Sequence, residues 1–162
     1  MSNADQFDLY LRLLYALSLG AVVGFEREFR GHEAGFRTTA LVCAGAALFG
    51  EVSKVLEETR IAAGVVQGVG FLGAGLVFQR GRNVRGVTTA ATIWVMAGVG
   101  LVVAYELWLT ALLTALTVVL LLELSPVSDL VLRNSRRRGL THDEPTRDAE
   151  AAAPRDRGPQ PP

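Results

Sequence analysis

Residues 61–79 read IAAGVVQGVGFLGAGLVFQ, nineteen positions without a charged side chain. Residues 86–105, GVTTAATIWVMAGVGLVVAY, supply a second uncharged run of twenty. Runs of this length predict transmembrane helices, because crossing the hydrocarbon core takes about 20 apolar residues. The two runs set the fold class as an all-α integral membrane protein, and they argue against a soluble enzyme. The rest of the composition agrees. Half of the 162 residues are apolar and 17 are Gly. The 16 basic and 16 acidic residues cancel, and the basic ones flank apolar runs, so no nucleic-acid partner is expected. Cys43 is the single cysteine, which excludes an intrachain disulfide and a Cys-based metal site.

Outward from these runs, three more apolar segments emerge. The first spans about Phe7–Gly24, with Arg12 near its start, where a long side chain snorkels to the interface. A charged stretch, residues 25–37, follows. The second spans about Thr38–Val52, but only positions 38–50 are free of charge, which makes it the shortest. Lys54, Glu57, Glu58 and Arg60 end it. Arg80, Arg82 and Arg85 separate the two long runs. The fifth segment, Leu107–Leu122, starts almost without a loop, and Glu106 and Trp108 mark the water interface there. The expected architecture is a bundle of five transmembrane helices over residues 7–125. Residues 126–162 are rich in Arg, Asp, Glu, Pro and Ala, and form a polar tail expected to be mostly disordered. The first six residues lack Lys and Arg, so no cleavable signal peptide is expected.

Five spans place alternate loops on opposite sides. One side collects Arg27, Arg30, Arg37, Arg80, Arg82, Arg85 and the seven Arg of the tail; the other has Lys54 and Arg60, with Arg12 nearby. The excess of positive charge predicts an outside N-terminus and a cytoplasmic C-terminus. The outer side carries Asp5, Asp8, Glu51, Glu57, Glu58 and Glu106. Such a surface attracts cations weakly, or is simply an acid-tolerant set of loops.

Gly68-Val-Gly70-Phe-Leu-Gly73 matches the letters of a dinucleotide-binding turn. The match fails on context, since it lies inside an apolar run with Ala90, Ala91, Thr92 and Ile93 where an acidic residue belongs. Small residues let transmembrane helices approach closely, so the third segment is expected to be the packing centre. The alternative is a broken helix whose carbonyls meet a solute. Gly20 and Gly24 have the spacing of a helix-contact motif. Glu26 and Arg30, four apart, are placed to pair on one helical face. Thr88 or Thr89 is placed to cap the fourth helix or to bond back within it. Arg85 faces either a lipid phosphate or a carboxylate such as Glu26 or Glu28. His32 sits in a loop and His142 in the tail, and there is no Ser-x-x-Lys, no HExxH and no buried His–Asp arrangement, so no catalytic site and no cofactor are expected, and the chain is not read as an enzyme.

Taken together, several of these stretches resemble the MgtC/SapB family of bacterial inner-membrane proteins. They are Gly20-x-x-x-Gly24-Phe-Glu26-Arg27-Glu28, Ala34-Gly35-Phe36-Arg37-Thr38-Thr39, Arg60-Ile61-Ala62, Gly68-Val-Gly70-Phe-Leu-Gly73-Ala-Gly75 and Val84-Arg85-Gly86-Val-Thr88-Thr89-Ala90-Ala91. The resemblance implies a multi-pass protein of the inner membrane with five spans and a cytoplasmic C-terminus. It implies a regulatory role in magnesium homeostasis or low-magnesium adaptation, exerted on another membrane complex such as the F-type ATP synthase. The alternative is a transporter or channel for Mg2+ or another cation. Many magnesium-linked members continue into an ACT-like domain; here residues 126–162 stand in that place, as in a short form. Glu26, Arg27, Arg37 and Thr38 are candidates for function on this resemblance. Gly70, Gly73 and Gly75 form a second group, and Arg85, Thr88 and Thr89 a third. A metal-binding set is not identified. The lipid bilayer is the expected surrounding, and a homo-oligomer is left open.

Overall fold

The computed structural model describes residues 3–78 and 86–124. Five helices follow one another: α1 (Asn3–Phe29), α2 (Phe36–Val55), α3 (Thr59–Phe78), α4 (Val87–Ala104) and α5 (Trp108–Glu123). No strand occurs among the described residues. The first four helices are long and apolar enough to cross a membrane; α5, with 16 residues, is shorter. The expected all-helical bundle is therefore present, with each predicted segment forming one helix. The predicted tail and the Arg80, Arg82 and Arg85 loop lie outside the described residues.

Two boundaries move, and both for electrostatic reasons. The charges at residues 25–37 were expected to mark a loop, yet α1 continues past Gly24 and carries Glu26 and Arg27 in its last turns. Arg27 there faces the negative end of the helix dipole. The expected short second segment is a helix of 20 residues. It extends at its start because the Glu28 carboxylate accepts the Phe36 N–H at 2.9 Å, satisfying a free donor at the positive end of α2. It extends at its finish because Glu51 and Lys54 both find partners outside α2, described below.

Three helix ends use the same stop. At the end of α2, Glu58 N–H donates to Ser53 O at 3.0 Å and Glu57 N–H to Lys54 O at 3.2 Å. At the end of α4, Leu107 N–H donates to Val102 O and Glu106 N–H to Val103 O. At the end of α1, His32 N–H donates to Arg27 O and Gly31 N–H to Glu28 O. This paired pattern requires a left-handed residue between its two donors. Gly31 supplies it with φ 70°, but Glu57 (φ 52°) and Glu106 (φ 64°) are not glycine and carry strain. Glu57→Gly is expected to stabilise the fold by about 1 kcal/mol.

The core lies where α1, α2, α4 and α5 meet. Ala16, Val23, Cys43, Ala47, Met96, Val99, Val103 and Ala111 are buried together there. Small residues make this possible, since without a hydrophobic drive between helices in lipid, packing depends on close approach. A Cβ on Gly20 of α1 would lie 2.6 Å from Thr39 O and 2.8 Å from Ala40 Cα. A Cβ on Gly100 of α4 would collide with Cys43 O and lie 2.9 Å from Ala46 Cβ. The packing role expected of Gly20 and Gly24 is thus present between α1 and α2.

The expectation that the third segment is the packing centre is wrong. On α3, Val69 and Gly73 alone are buried among the described side chains. A Cβ at Gly64, Gly68, Gly70 or Gly75 would meet nothing within 4 Å, and one at Gly73 only Ala90 at 3.3–3.8 Å. Gly64 and Gly68 border an open groove against Leu41 and Phe49 of α2 rather than a close contact, and the tight contacts belong to α2 with its neighbours. Nor is α3 broken, so its backbone carbonyls stay within the helix.

Candidate functional site

The bundle holds a polar group at each end. At one end, Arg27 is 1% exposed, the largest of the fully buried side chains. Its Nη2 donates to Thr89 Oγ1 and to Glu33 O at 3.4 Å, and its Nη1 to Thr92 Oγ1 at 3.4 Å. Thr92 in turn donates to Thr88 O at 2.8 Å, which fixes its hydroxyl lone pairs toward the guanidinium. No ion pair joins Arg27 to a carboxylate among the described residues, and its Nε has no hydrogen-bond partner there. Neighbouring Glu26 pairs with Arg30 instead, at 2.8 Å. A buried cation without a counter-ion is costly. Here two hydroxyls, a carbonyl and the C-terminal end of α1 replace its solvent. One planar group thereby ties α1, the α1–α2 loop and α4 together.

At the opposite end, Arg12 of α1 donates to Glu51 of α2 at 3.1 Å and to Glu106 at 2.7 Å, and pairs with Asp8 at 3.5 Å. Lys54 pairs with Glu106 at 3.0 Å and Glu51 at 3.5 Å, and donates to Ala104 O at 2.6 Å. The Arg12 guanidinium also lies 5.9 Å from the centre of the Trp108 ring, which meets Tyr15 edge-on at 5.4 Å. Lys54 first, and then Arg12, hold the Glu106 carboxyl below the usual carboxylate range by hydrogen bonds. A depressed pKa contributes stability above the unfolded value of about 4.3, and that contribution is lost as pH falls through the folded value. Glu106→Gly relieves the same backbone strain as Glu57→Gly but removes these pairs. It is expected to lower the melting temperature at pH 7 and, in strong acid where the pairs are lost in the unchanged protein too, to raise it as Glu57→Gly does. An equal gain for both variants at pH 7 in thermal melts would show that the ion cluster contributes nothing.

Residues 13–129 match the model of the MgtC family. The chain belongs to the MgtC family. It is 42% identical over 135 residues to Protein MgtC of Salmonella typhimurium, a match covering 82% of this chain and 55% of the relative. It is 52% identical over 89 residues to Protein MgtC of Brucella abortus, covering 52% of this chain and 37% of that protein. The chain thus spans about half the length of the first relative and less of the second. No solved structure matches it.

Of the residues singled out in the MgtC-like pattern, the fold brings together Arg27 and Thr89, with Thr88 contributing its carbonyl through Thr92. Glu26 is next to this group but serves Arg30. Arg37 and Thr38 are exposed at the start of α2, and Arg37 lines a groove with Phe25, Glu28, Phe29 and Phe36. Gly70 and Gly75 are exposed on α3, and Gly73 touches Ala90, the neighbour of Thr89 on α4. Arg85 lies outside the described residues. Neither Thr88 nor Thr89 caps α4: the cap position is Gly86, left-handed at φ 87°, without a side-chain bond. Thr92 and Arg12 were not singled out for the sites they build. Thr92 follows Thr88 by four, the spacing of a back-bonded hydroxyl, which is a usable signal. Arg12 read as a snorkelling side chain, although its i−4 neighbour Asp8 hints at a pair. Of the six acids expected to attract cations, Asp8, Glu51 and Glu106 are engaged by Arg12 or Lys54. Among the described residues no group of three or more His, Cys, Asp or Glu is arranged to hold a metal.

Proposed function

We propose that this chain is a multi-pass regulatory protein of the bacterial inner membrane, serving magnesium homeostasis or low-magnesium adaptation by acting on another membrane complex. Its N-terminus lies outside and its C-terminus in the cytoplasm, which is the orientation the Arg distribution favours. The family membership supports the magnesium link, and the F-type ATP synthase is the partner class that the resemblance suggests. No chemistry on a substrate is assigned to it.

One observation carries the choice of regulator over cation carrier. The bundle centre is closed by apolar contacts and sealed at one end by Arg27. A hydrated Mg2+ moving between α1, α2 and α4 would pass Ala16, Val23, Cys43, Ala47 and Met96, none of which replaces a water ligand. It would then meet a buried guanidinium of its own charge sign. Of the outer carboxylates, which a carrier would use for capture, Asp8, Glu51 and Glu106 are engaged by Arg12 or Lys54.

Purified protein in sealed liposomes tests this directly. The expected result is no magnesium flux above protein-free vesicles, together with restored growth in low magnesium when the same chain is expressed in a strain lacking its own family member. Saturable magnesium uptake by the proteoliposomes would establish the carrier reading instead.

A further inference from the structure

The first turn of α4 gathers donors without an acceptor. The earliest bond of the helix is Ala90 N–H to Gly86 O at 2.9 Å, so the N–H groups of Val87, Thr88 and Thr89 have no partner within it. The cap residue is Gly86, which brings no side chain to accept from them. At α2 the corresponding need is met by the Glu28 carboxylate on the Phe36 N–H. The Thr89 hydroxyl accepts from Arg27, and among the described residues it donates to nothing. Free N–H groups are ordinary at a helix start, but a buried cation set against them is not.

Arg27 is fully buried and aims its fork at this turn, bonding to Thr89, one of the three residues with a free N–H. Its Nε is buried as well and has no partner among the described residues. Two hydroxyls and a carbonyl solvate the guanidinium but do not neutralise it. The adjacent carboxylate, Glu26, pairs with Arg30 at 2.8 Å. Helix ends carry only about half a charge each. The carbonyl ends of α1 and α3 oppose the guanidinium, with Leu76 O lying 3.1 Å from where a Gly86 Cβ would sit, while the start of α4 adds to it. The corner therefore stays positive. Residues 79–85, which join α3 to α4, include three Arg and no acid, so the connecting chain supplies no counter-ion. Thr89 is buried, but Val87 and Thr88 are exposed, so an anion can reach the turn from outside. We propose that the first turn of α4 and Arg27 together bind a phosphate group, with the Thr88 and Thr89 N–H groups donating to its oxygens and the guanidinium behind Thr89 supplying the opposite charge. Phosphate suits the donors because its several oxygens can accept from backbone, hydroxyl and guanidinium at once. Free phosphate and a phospholipid headgroup share this chemistry, and the turn opens an apolar span, at the level of the headgroups. Such binding goes beyond the proposed regulatory role and does not rest on it.

Thermal melts of the full chain in a neutral maltoside detergent at pH 7 test it. In one arm inorganic phosphate replaces chloride at constant ionic strength. In the other, phosphatidylglycerol replaces net-neutral phosphatidylcholine in the micelles. The melting temperature is expected to rise saturably: a rise with inorganic phosphate assigns the free ion, and a rise with phosphatidylglycerol alone assigns the headgroup. Thr88→Asp tethers a carboxylate to the exposed turn, so it should fold. It should raise the melting temperature without any added anion and weaken the response to the effective anion about tenfold or more, by like-charge repulsion. Arg27→Gln should lose the response relative to its own baseline; if that variant does not fold, Thr88→Asp decides alone. Arg37→Gln, an exposed basic position at the start of α2, should keep the full response. No rise in either arm, a rise that survives Thr88→Asp or Arg27→Gln intact, or one that Arg37→Gln removes would overturn the proposal. Each of these results leaves the liposome flux outcome untouched.

Discussion

Gly100→Leu is expected to abolish accumulation of folded protein in the membrane, whereas Gly70→Leu is expected to leave it near the level of the unchanged chain. Both glycines sit in apolar helices, and composition does not separate them. Geometry does. At Gly100 a Cβ would overlap Cys43 O and approach Ala47 N at 3.0 Å, so the obstruction is the backbone of α2. A side chain in the way can change rotamer, but a helix backbone moves only as a body, which would also open the Gly20 contact on α2's other side. Overpacking costs about 1–3 kcal/mol where side chains can yield. A backbone clash belongs at or above the top of that range, a large part of the roughly 5–15 kcal/mol that holds a domain folded. At Gly70 a Leu side chain meets open space. Gly73→Leu should fall between, because Ala90 Cβ at 3.3 Å has to give only a few tenths of an ångström for the first carbon. Fluorescence-detected size exclusion of the three variants checks the order. Equal losses for Gly70→Leu and Gly100→Leu would mean that α3 is packed as tightly as α2 and α4.

The contrast between these glycines shows where the sequence could be read and where it could not. Five helices were legible, because uncharged runs and their charged breaks report the cost of putting a charge in hydrocarbon. The roles of the helices were not. Residues 61–79 hold the densest glycines and look like a packing centre, but density of small residues does not say which way they face. Residues 36–55 looked marginal because Arg37, Glu51 and Lys54 interrupt them. Arg37 is exposed at the start of α2, and the other two are tolerated through partners remote in sequence: Glu51 meets Arg12 across 39 positions, and Lys54 meets Glu106 across 52. A pairing of that range leaves no local trace. The same limit applies at the other end. Arg27 and Thr89 were both visible as members of a recurring pattern, and Glu26–Arg30 followed from helical spacing. That Arg27 turns away from Glu26 and into the bundle depends on α1 running on to Phe29 and on α4 lying beside it, which helical spacing alone does not show.

That inward turn makes Arg27 the residue whose replacement should matter most for both folding and activity. Its guanidinium reaches Thr89, Thr92 and the Glu33 carbonyl at once, a reach that depends on a planar fork with several donors. Arg27→Ala removes the fork and leaves buried polar groups on α4 and the loop without a partner, each costing about 1–3 kcal/mol. Thr88 O keeps Thr92 partly satisfied, so the expected net loss is about 2–4 kcal/mol. Arg27→Lys keeps the charge but offers one compact donor group in place of the fork. It should hold Thr89 at best and free the α1–α2 loop, giving an abundant protein with reduced growth support in low magnesium. Thr89→Val leaves the guanidinium short of an acceptor and should lose stability in the same direction. A double-mutant cycle between Arg27→Ala and Thr89→Val, read as chemical denaturation in detergent, should then show a coupling of at least about 1 kcal/mol. Additive losses would mean that the two side chains are merely adjacent. The separation of folding from growth support rests on Arg27→Lys: full abundance with full growth support would show that charge alone suffices and that the tie between α1, the loop and α4 is not needed for it.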